Sequence, residues 1–385
     1  MQYEFTVPAH HVFLVKTGTY TYDVYYPKQL NNGITNYVCR EFTKRTVDFK
    51  TDPPEWKEEK TIDVVSPSGF ANPILPYKNI LGYDFYRKRI LFVLGEWDGT
   101  SWLFQGTKAK LLAVDLGLSK VEVLTDDLFT LAQEAVPEAT HIKGYANFSG
   151  YGGKLVGILA IYSNAEERSV VLVFDGSSWY AVRANTRRDT VQEGVVPVWD
   201  VKDRFIGWLT EGHSDNSHFI RISDLQVIPC YPPFSTTSEP AYDMMNHKIV
   251  WTEWGAGEAI SQRIYVSDPD PTNGCINFKN ATPYGTVKDN EGNTINLTIM
   301  SKYAPSIFQN GANKWLVIGA FRGGIPEGFH RVFKVDLGSY SDASKWDLIK
   351  DPTGNDKLVK GMVTCVSTDG KPLPAPMFPV TLSRG

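Results

Sequence analysis

Five short segments concentrate the side chains from which chemistry could be built. Glu96-Trp97-Asp98, Glu166-Glu167-Arg168, Glu211-Gly212-His213-Ser214-Asp215, Glu253-Trp254 and Arg322-Gly323-Gly324 each follow an apolar run. Paired carboxylates are the equipment of glycoside cleavage, one as general acid and the other as base or nucleophile. Glu96, Glu211 and Glu253 are the candidates for that role. Tryptophans beside them suit recognition, because an aromatic ring with a wet edge stacks on a sugar or anchors a partner side chain. On this reading Trp97, Asp98, Trp102, His213, Asp215, Trp254 and Arg322 line a ligand-binding surface. His213, Asp215 and His218 are the densest set of metal-ligand types, but they lack a standard zinc spacing and need a further ligand from another loop, so no metal is expected. Phosphate-binding loops, nucleophile elbows and Gly-x-Gly-x-x-Gly turns are missing from the sequence, and no cofactor is expected.

The elements that would carry these segments recur along the chain. Alternating apolar runs end on Asp115, Asp175, Asp224, Asp268 and Asp336, and turn residues and a second strand-like run follow each. Upstream lie stronger apolar runs opened by a basic residue, at Arg89, Lys154, Arg204, Lys248 and Lys314. Such continuous runs suit strands buried on both faces. One further short strand precedes each, giving four strands in meander order, five times over. His11-Val12-Phe13-Leu14-Val15, Tyr20 to Tyr26 and Tyr37-Val38-Cys39-Arg40 read as the second, third and fourth strands of a sixth unit. Its first strand is expected from Met362-Val363-Thr364-Cys365-Val366. Asp84, Asp200 and Asp243, which recur at equivalent turns, are read as Asx-type turn formers.

Pro197-Val198-Trp199-Asp200 through Trp208, and Pro240-Ala241-Tyr242-Asp243 through Trp251, resemble the repeats of TolB-type propellers. Proline, an aromatic, a polar turn, a basic residue and an apolar strand ending in an aromatic follow in that order. The family's Ser-Pro-Asp-Gly turn is missing from both. The fold expected is therefore all-β: a single β-propeller over 1–385, of about six four-stranded blades, its ring closed by pairing of the N- and C-terminal segments. A long insertion is expected at 42–76. One short helix is expected at 126–135, with acidic residues opening it and Pro137 beyond its end.

Composition narrows the partners. Of 385 residues, 42% are hydrophobic and 21% charged, which fits a globular chain with a substantial core. A net charge of −4 gives no general attraction to nucleic acid. No signal peptide or apolar run of membrane-spanning length is legible, which suggests a cytoplasmic or virion-associated protein. The four cysteines are widely spaced and read as buried or free thiols rather than a disulfide framework. The function expected is a non-enzymatic binding propeller for a protein or glycan, a surface or virion component. The alternative is a glycoside hydrolase or lyase using the glutamates named above.

Overall fold

A computed structural model describes residues 5–7, 11–30, 38–48, 50, 55–76, 81–99, 106–163, 166–183, 191–200, 205–213, 218–221, 224, 226–233, 236–243, 248–253, 264–280, 286–289, 294–296, 306–310, 313–318, 330–335, 347–348, 358–359, 362–369 and 380–382. Strands dominate them. Among the described residues the helices are Val65–Ser68 and Leu128–Ala135. The second lies where the sequence places it. The Asp127 carboxylate accepts the Thr130 N–H at 2.8 Å as N-cap, and Leu128 and Ala132 are buried on one side.

The five expected units are antiparallel meanders. Gly82–Asp84, Arg89–Glu96, Ala109–Asp115 and Val121–Thr125 pair in that order. So do Ala139–Tyr151, Lys154–Ser163, Glu166–Phe174 and Trp179–Arg183. Val191–Asp200, Phe205–His213, His218–Arg221 and Val227–Pro229 form the next. Thr236–Asp243, Lys248–Glu253, Ile264–Asp270 and Gly274–Asn280 follow it. Ser306–Asn310, Asn313–Ile318, His330–Val335 and Asp347–Leu348 make the last. Ile90, Leu91, Phe92, Val93 and Leu94 are consecutive and all buried. Since successive side chains point to opposite faces, both faces of that second strand are covered, as its apolar run requires.

The N-terminal unit departs from expectation by one strand. His11–Lys16, Thr21–Leu30, Val38–Asp48 and Glu55–Asp63 form a complete meander of their own. His11–Lys16 is thus its first strand rather than its second. The stretch expected as an insertion supplies the end of the third strand and the whole of the fourth. Its charged residues are exchanged across strands: Arg45 pairs with Glu59 at 3.3 Å and Lys57 with Asp48 at 2.8 Å. The Arg45 guanidinium also lies 4.4 Å from the centre of the Trp56 ring. Composition resembled a linker because the strand is exposed and charged, which also discourages pairing of its outer edge with another chain.

Met362–Ser367 does pair with His11–Lys16, but in parallel, with Phe13 opposite Thr364 and Lys16 opposite Ser367. A meander needs antiparallel neighbours, so this is not a missing first strand completing that unit. The hydrogen-bonded sheet stays open, running from Trp179–Arg183 at one end to Met362–Ser367 at the other. Phe5–Val7 and Val380–Leu382 form a second parallel pair.

First strands of successive units meet backbone to backbone. Gly150 pairs in parallel with Asp84, and the Phe85 N–H donates to the Gly150 carbonyl at 2.8 Å. A Cβ on Gly82 would overlap the Phe148 carbonyl, and one on Gly157 would overlap the Phe148 ring. Phe13 stacks on Tyr83 with ring centroids 4.9 Å apart, joining the N-terminal unit to its neighbour. Gly82→Ala is expected to lower stability by about 1–3 kcal/mol through overpacking. Chemical denaturation measures it, and an unchanged midpoint would refute the close approach.

Candidate functional site

Strand direction sorts the turns onto two ends of each unit. One end carries the turns that leave first and third strands, and the other carries the segments singled out by their chemistry. The first end is built by aspartates. Asp84, fully buried, accepts the N–H groups of Tyr86 and Arg87 through Oδ1, both at 3.1 Å. Its Oδ2 accepts Arg89 Nε at 3.1 Å and Arg87 Nη1 at 3.4 Å. Arg89 extends the network to Glu122 at 3.1 Å.

Asp115 takes the N–H groups of Ser119 and Lys120 on Oδ1, and the Gly117 N–H and Ser119 hydroxyl on Oδ2, all within 3.0 Å. Asp175 accepts from the Ser177 and Ser178 N–H groups and the Ser177 hydroxyl. Asp270 does the same for Thr272 and Asn273. A carboxylate offers roughly four lone-pair sites, so Asp84 and Asp115 have none to spare for catalysis. The Asx-type reading holds for Asp84, while for Asp200 and Asp243 the described structure extends to their strand pairing alone.

The electrostatics follow from these donors. Burial raises the Asp115 pKa, but the N–H groups of Lys120 and Ser119 outweigh it and hold the carboxyl below its ordinary range. At Asp175 the N–H groups of Ser178 and Ser177 lower it directly. A second network crosses units at the same end. Lys44 and Thr46 engage Asp23 at 2.9 and 2.7 Å, and the Tyr25 hydroxyl donates to the Leu116 carbonyl at 2.7 Å. Burial first, then the Asp23 charge, pushes the Tyr25 pKa strongly upward. Nothing in the sequence signals this contact, which links positions 91 residues apart.

The opposite end carries the candidate segments. Glu96 closes its strand with Oε1 accepting the Asn72 N–H and Oε2 the Ala71 N–H, both at 3.0 Å. The Trp97 N–H donates to the Asn72 carbonyl at 3.0 Å. Its side chain is half-buried against the core, and Asp98 is exposed. The chain returns at Gly106, whose carbonyl accepts the Ile142 N–H at 2.9 Å and so joins this rim to the next unit. There the His141 and Tyr162 rings lie 4.7 Å apart, tilted by 33°, with Thr140 Oγ1 3.0 Å from His141 Nδ1. Burial lowers the His141 pKa.

His141 and Tyr162 carry no signal in the sequence because each sits inside a regular strand. Glu211 and His213 close the strand Phe205–His213, His218 opens His218–Arg221 and Glu253 ends Lys248–Glu253, all by backbone pairing. Trp102, Asp215, Trp254 and Arg322 lie outside the described residues. Among the described residues no group of three metal-ligating side chains forms.

No protein-family model matches the chain, and no curated protein matches it in sequence. Similar solved structures include TolB from Acinetobacter baumannii, at 13% identity and TM-score 0.41, covering 85% of this chain and 77% of that one. A chain of a nidogen–laminin complex is similar at 12% identity and TM-score 0.38, covering 84% and 94%. Hydrazine synthase from Kuenenia stuttgartiensis is similar at 13% identity and TM-score 0.46, covering 95% and 91%.

Asp84→Ala leaves the Arg89 guanidinium, which is 11% exposed, with Glu122 alone and the Tyr86 and Arg87 N–H groups without their acceptor, and is expected to cost about 3–5 kcal/mol of stability. Denaturation of this variant giving a loss under about 1 kcal/mol would remove Asp84 from its structural role. Asp115 and Asp175 have native pKa values below the ordinary 3.8, so their stabilisation is complete above that value and is lost as pH falls through the lowered values. Melting temperature is expected to hold down to about pH 5 and then decline. Asp115→Asn should blunt that decline, and an acid profile identical to the parent's would contradict the assignment.

Proposed function

We propose that the chain is a non-enzymatic β-propeller whose six four-stranded units close into one ring and hold a protein or glycan on the rim bearing Glu96, Trp97 and His141. The closed ring is supported by the order of the first strands. The 11–16 strand touches 82–84 through Phe13 and Tyr83, and 82–84 adjoins 139–151. Next come 191–200, 236–243, 306–310 and 362–367, each beside the one before. The last of these pairs with 11–16 again.

Binding without turnover is the reading carried by one observation, the Glu96 carboxylate. Each of its oxygens accepts one backbone N–H, from Ala71 and Asn72, so the carboxylate is engaged in fixing the loop, and these N–H bonds favour its charged form over the protonated form that a general acid needs. Trp97, Asp98, Trp102, His213, Asp215, Trp254 and Arg322 remain the proposed contact set, and His141 and Tyr162 join them from the same end of their unit. Half-buried aromatics on a rigid edge suit this work because little side-chain entropy remains to be lost on binding.

A glycan array and a pull-down identify the ligand, and mass spectrometry of retained glycans tests for turnover. Bound glycans of unchanged mass are expected, and cleaved products would favour the glycosidase alternative. Trp97→Ala is expected to cut affinity by roughly 1–3 kcal/mol. Because this ring also rests on the core, about 2 kcal/mol of stability should go with it. Trp254→Ala should lose affinity with stability nearly intact. Full affinity in both variants would withdraw the site.

A further inference from the structure

We infer that Cys230 and Cys275 form a staple between two successive units, closed by thiol–disulfide exchange under oxidising conditions and opened only from the Cys275 side. Sequence spacing argued for free thiols, whereas the structure joins these two 45 residues apart, with Cα atoms 4.9 Å from one another. That separation lies inside the roughly 4.4–6.8 Å a disulfide spans.

The sulfurs sit where meander pairing supplies no bond. Cys230 follows Val227–Pro229, the outermost strand of one unit, and Cys275 lies in Gly274–Asn280, the outermost strand of the next. These two units pair where Gly212 and His213, ending the second strand of one, meet Thr237 and Thr236, opening the first strand of the next, so their outer strands need a separate tie. Several features hold this one in place. Gly274 has φ +80°, and a Cβ there would overlap the Pro229 carbonyl, so the two backbones touch. Alongside, Arg221 donates to the Pro271 carbonyl at 3.3 Å while its other nitrogens grip Asp224.

Exposure decides the chemistry. Cys230 is fully buried and Cys275 only partly, so an attacking sulfur reaches Cys275 alone. In closure the Cys275 thiolate attacks an external disulfide and releases one thiolate. The Cys230 thiolate then attacks Cys275 Sγ of the mixed disulfide, forms the internal bond and releases the second. The two cysteine protons pass to the two released thiolates, and the external disulfide takes up both electrons. Cys39 and Cys365 stand apart from this exchange: burial pushes both thiols up to about 12, and both are buried. A bond of this kind persists in an oxidising compartment and is lost in a reducing one.

The test uses the full chain incubated with oxidised glutathione. Titration with a thiol reagent after unfolding should find two thiols per chain without reduction and four after it; four in both would overturn the staple. Partial reduction with glutathione, followed by peptide mass mapping, should place the mixed disulfide on Cys275, and an adduct on Cys230 would overturn the direction of opening. Reduced protein should exchange amide hydrogens faster at 227–233 and 271–278 while 89–96 and 154–163 keep their protection. Unchanged exchange at the junction would show that the bond ties nothing. The double variant Cys230→Ser, Cys275→Ser should reproduce the exchange pattern of the reduced chain, and if it fails to fold the reduced parent carries the comparison.

Discussion

The contact between first strands governs what the rest of this chain can be. Where Gly82 meets the Phe148 carbonyl and Gly150 meets Asp84, neighbouring units approach more closely than any side chain permits. Such proximity leaves one arrangement open: each unit fans outward from its first strand, with later strands progressively further from the shared line. The gradient of burial follows. Gly82, Tyr83 and Asp84 are all buried, while Val121–Thr125, the fourth strand of the same unit, holds only partly buried and exposed residues. Covalent and ionic ties then appear at the periphery, at Cys230–Cys275 and Arg45–Glu59, where packing alone is thin.

From the same constraint comes the division of labour between the two ends. The turns that follow Asp84, Asp115, Asp175 and Asp270 are short, and these aspartate side chains close them by accepting neighbouring N–H groups. The N–H donors around Asp115 and Asp175 hold those two carboxyls below their ordinary range, and Asp84 and Asp115 each accept four hydrogen bonds, which serves stability and leaves little for reaction chemistry. The opposite end carries Glu96, Trp97, His141 and Tyr162. A scaffold whose turns at one end are closed by aspartates, and whose other end carries aromatic and imidazole groups beside its glutamates, is suited to holding a partner. That contrast accords with the proposed function, which the Glu96 carboxylate carries.

Much of the strand order was legible because the second strands are apolar throughout and the third strands end on aspartate. Ile90 to Leu94 and Leu155 to Ile161 announce burial on both faces. Glu55 to Asp63 gave no such signal, since its stabilisation comes from partners across the strand, and a charged run looks alike whether paired or free. The shift of the N-terminal unit by one strand followed from that omission. The disulfide was illegible for a related reason: 45 residues of intervening meander bring Cys230 to Cys275, and spacing in the chain does not encode that return. For the candidate site, residue types were readable at Trp97 and Asp98, whereas the backbone bonds that engage Glu96 depend on Ala71 and Asn72 from another unit's connection.

Engineered cross-linking tests the proposed ring most directly, because it asks whether His11–Lys16 and Met362–Ser367 meet in parallel register. Parallel pairing sets Lys16 opposite Ser367. Lys16→Cys with Ser367→Cys should therefore close a disulfide under mild oxidation, found by peptide mapping, while Lys16→Cys with Met362→Cys should not. Efficient cross-linking of the second pair, or of neither, would contradict the parallel pairing on which the proposed ring depends.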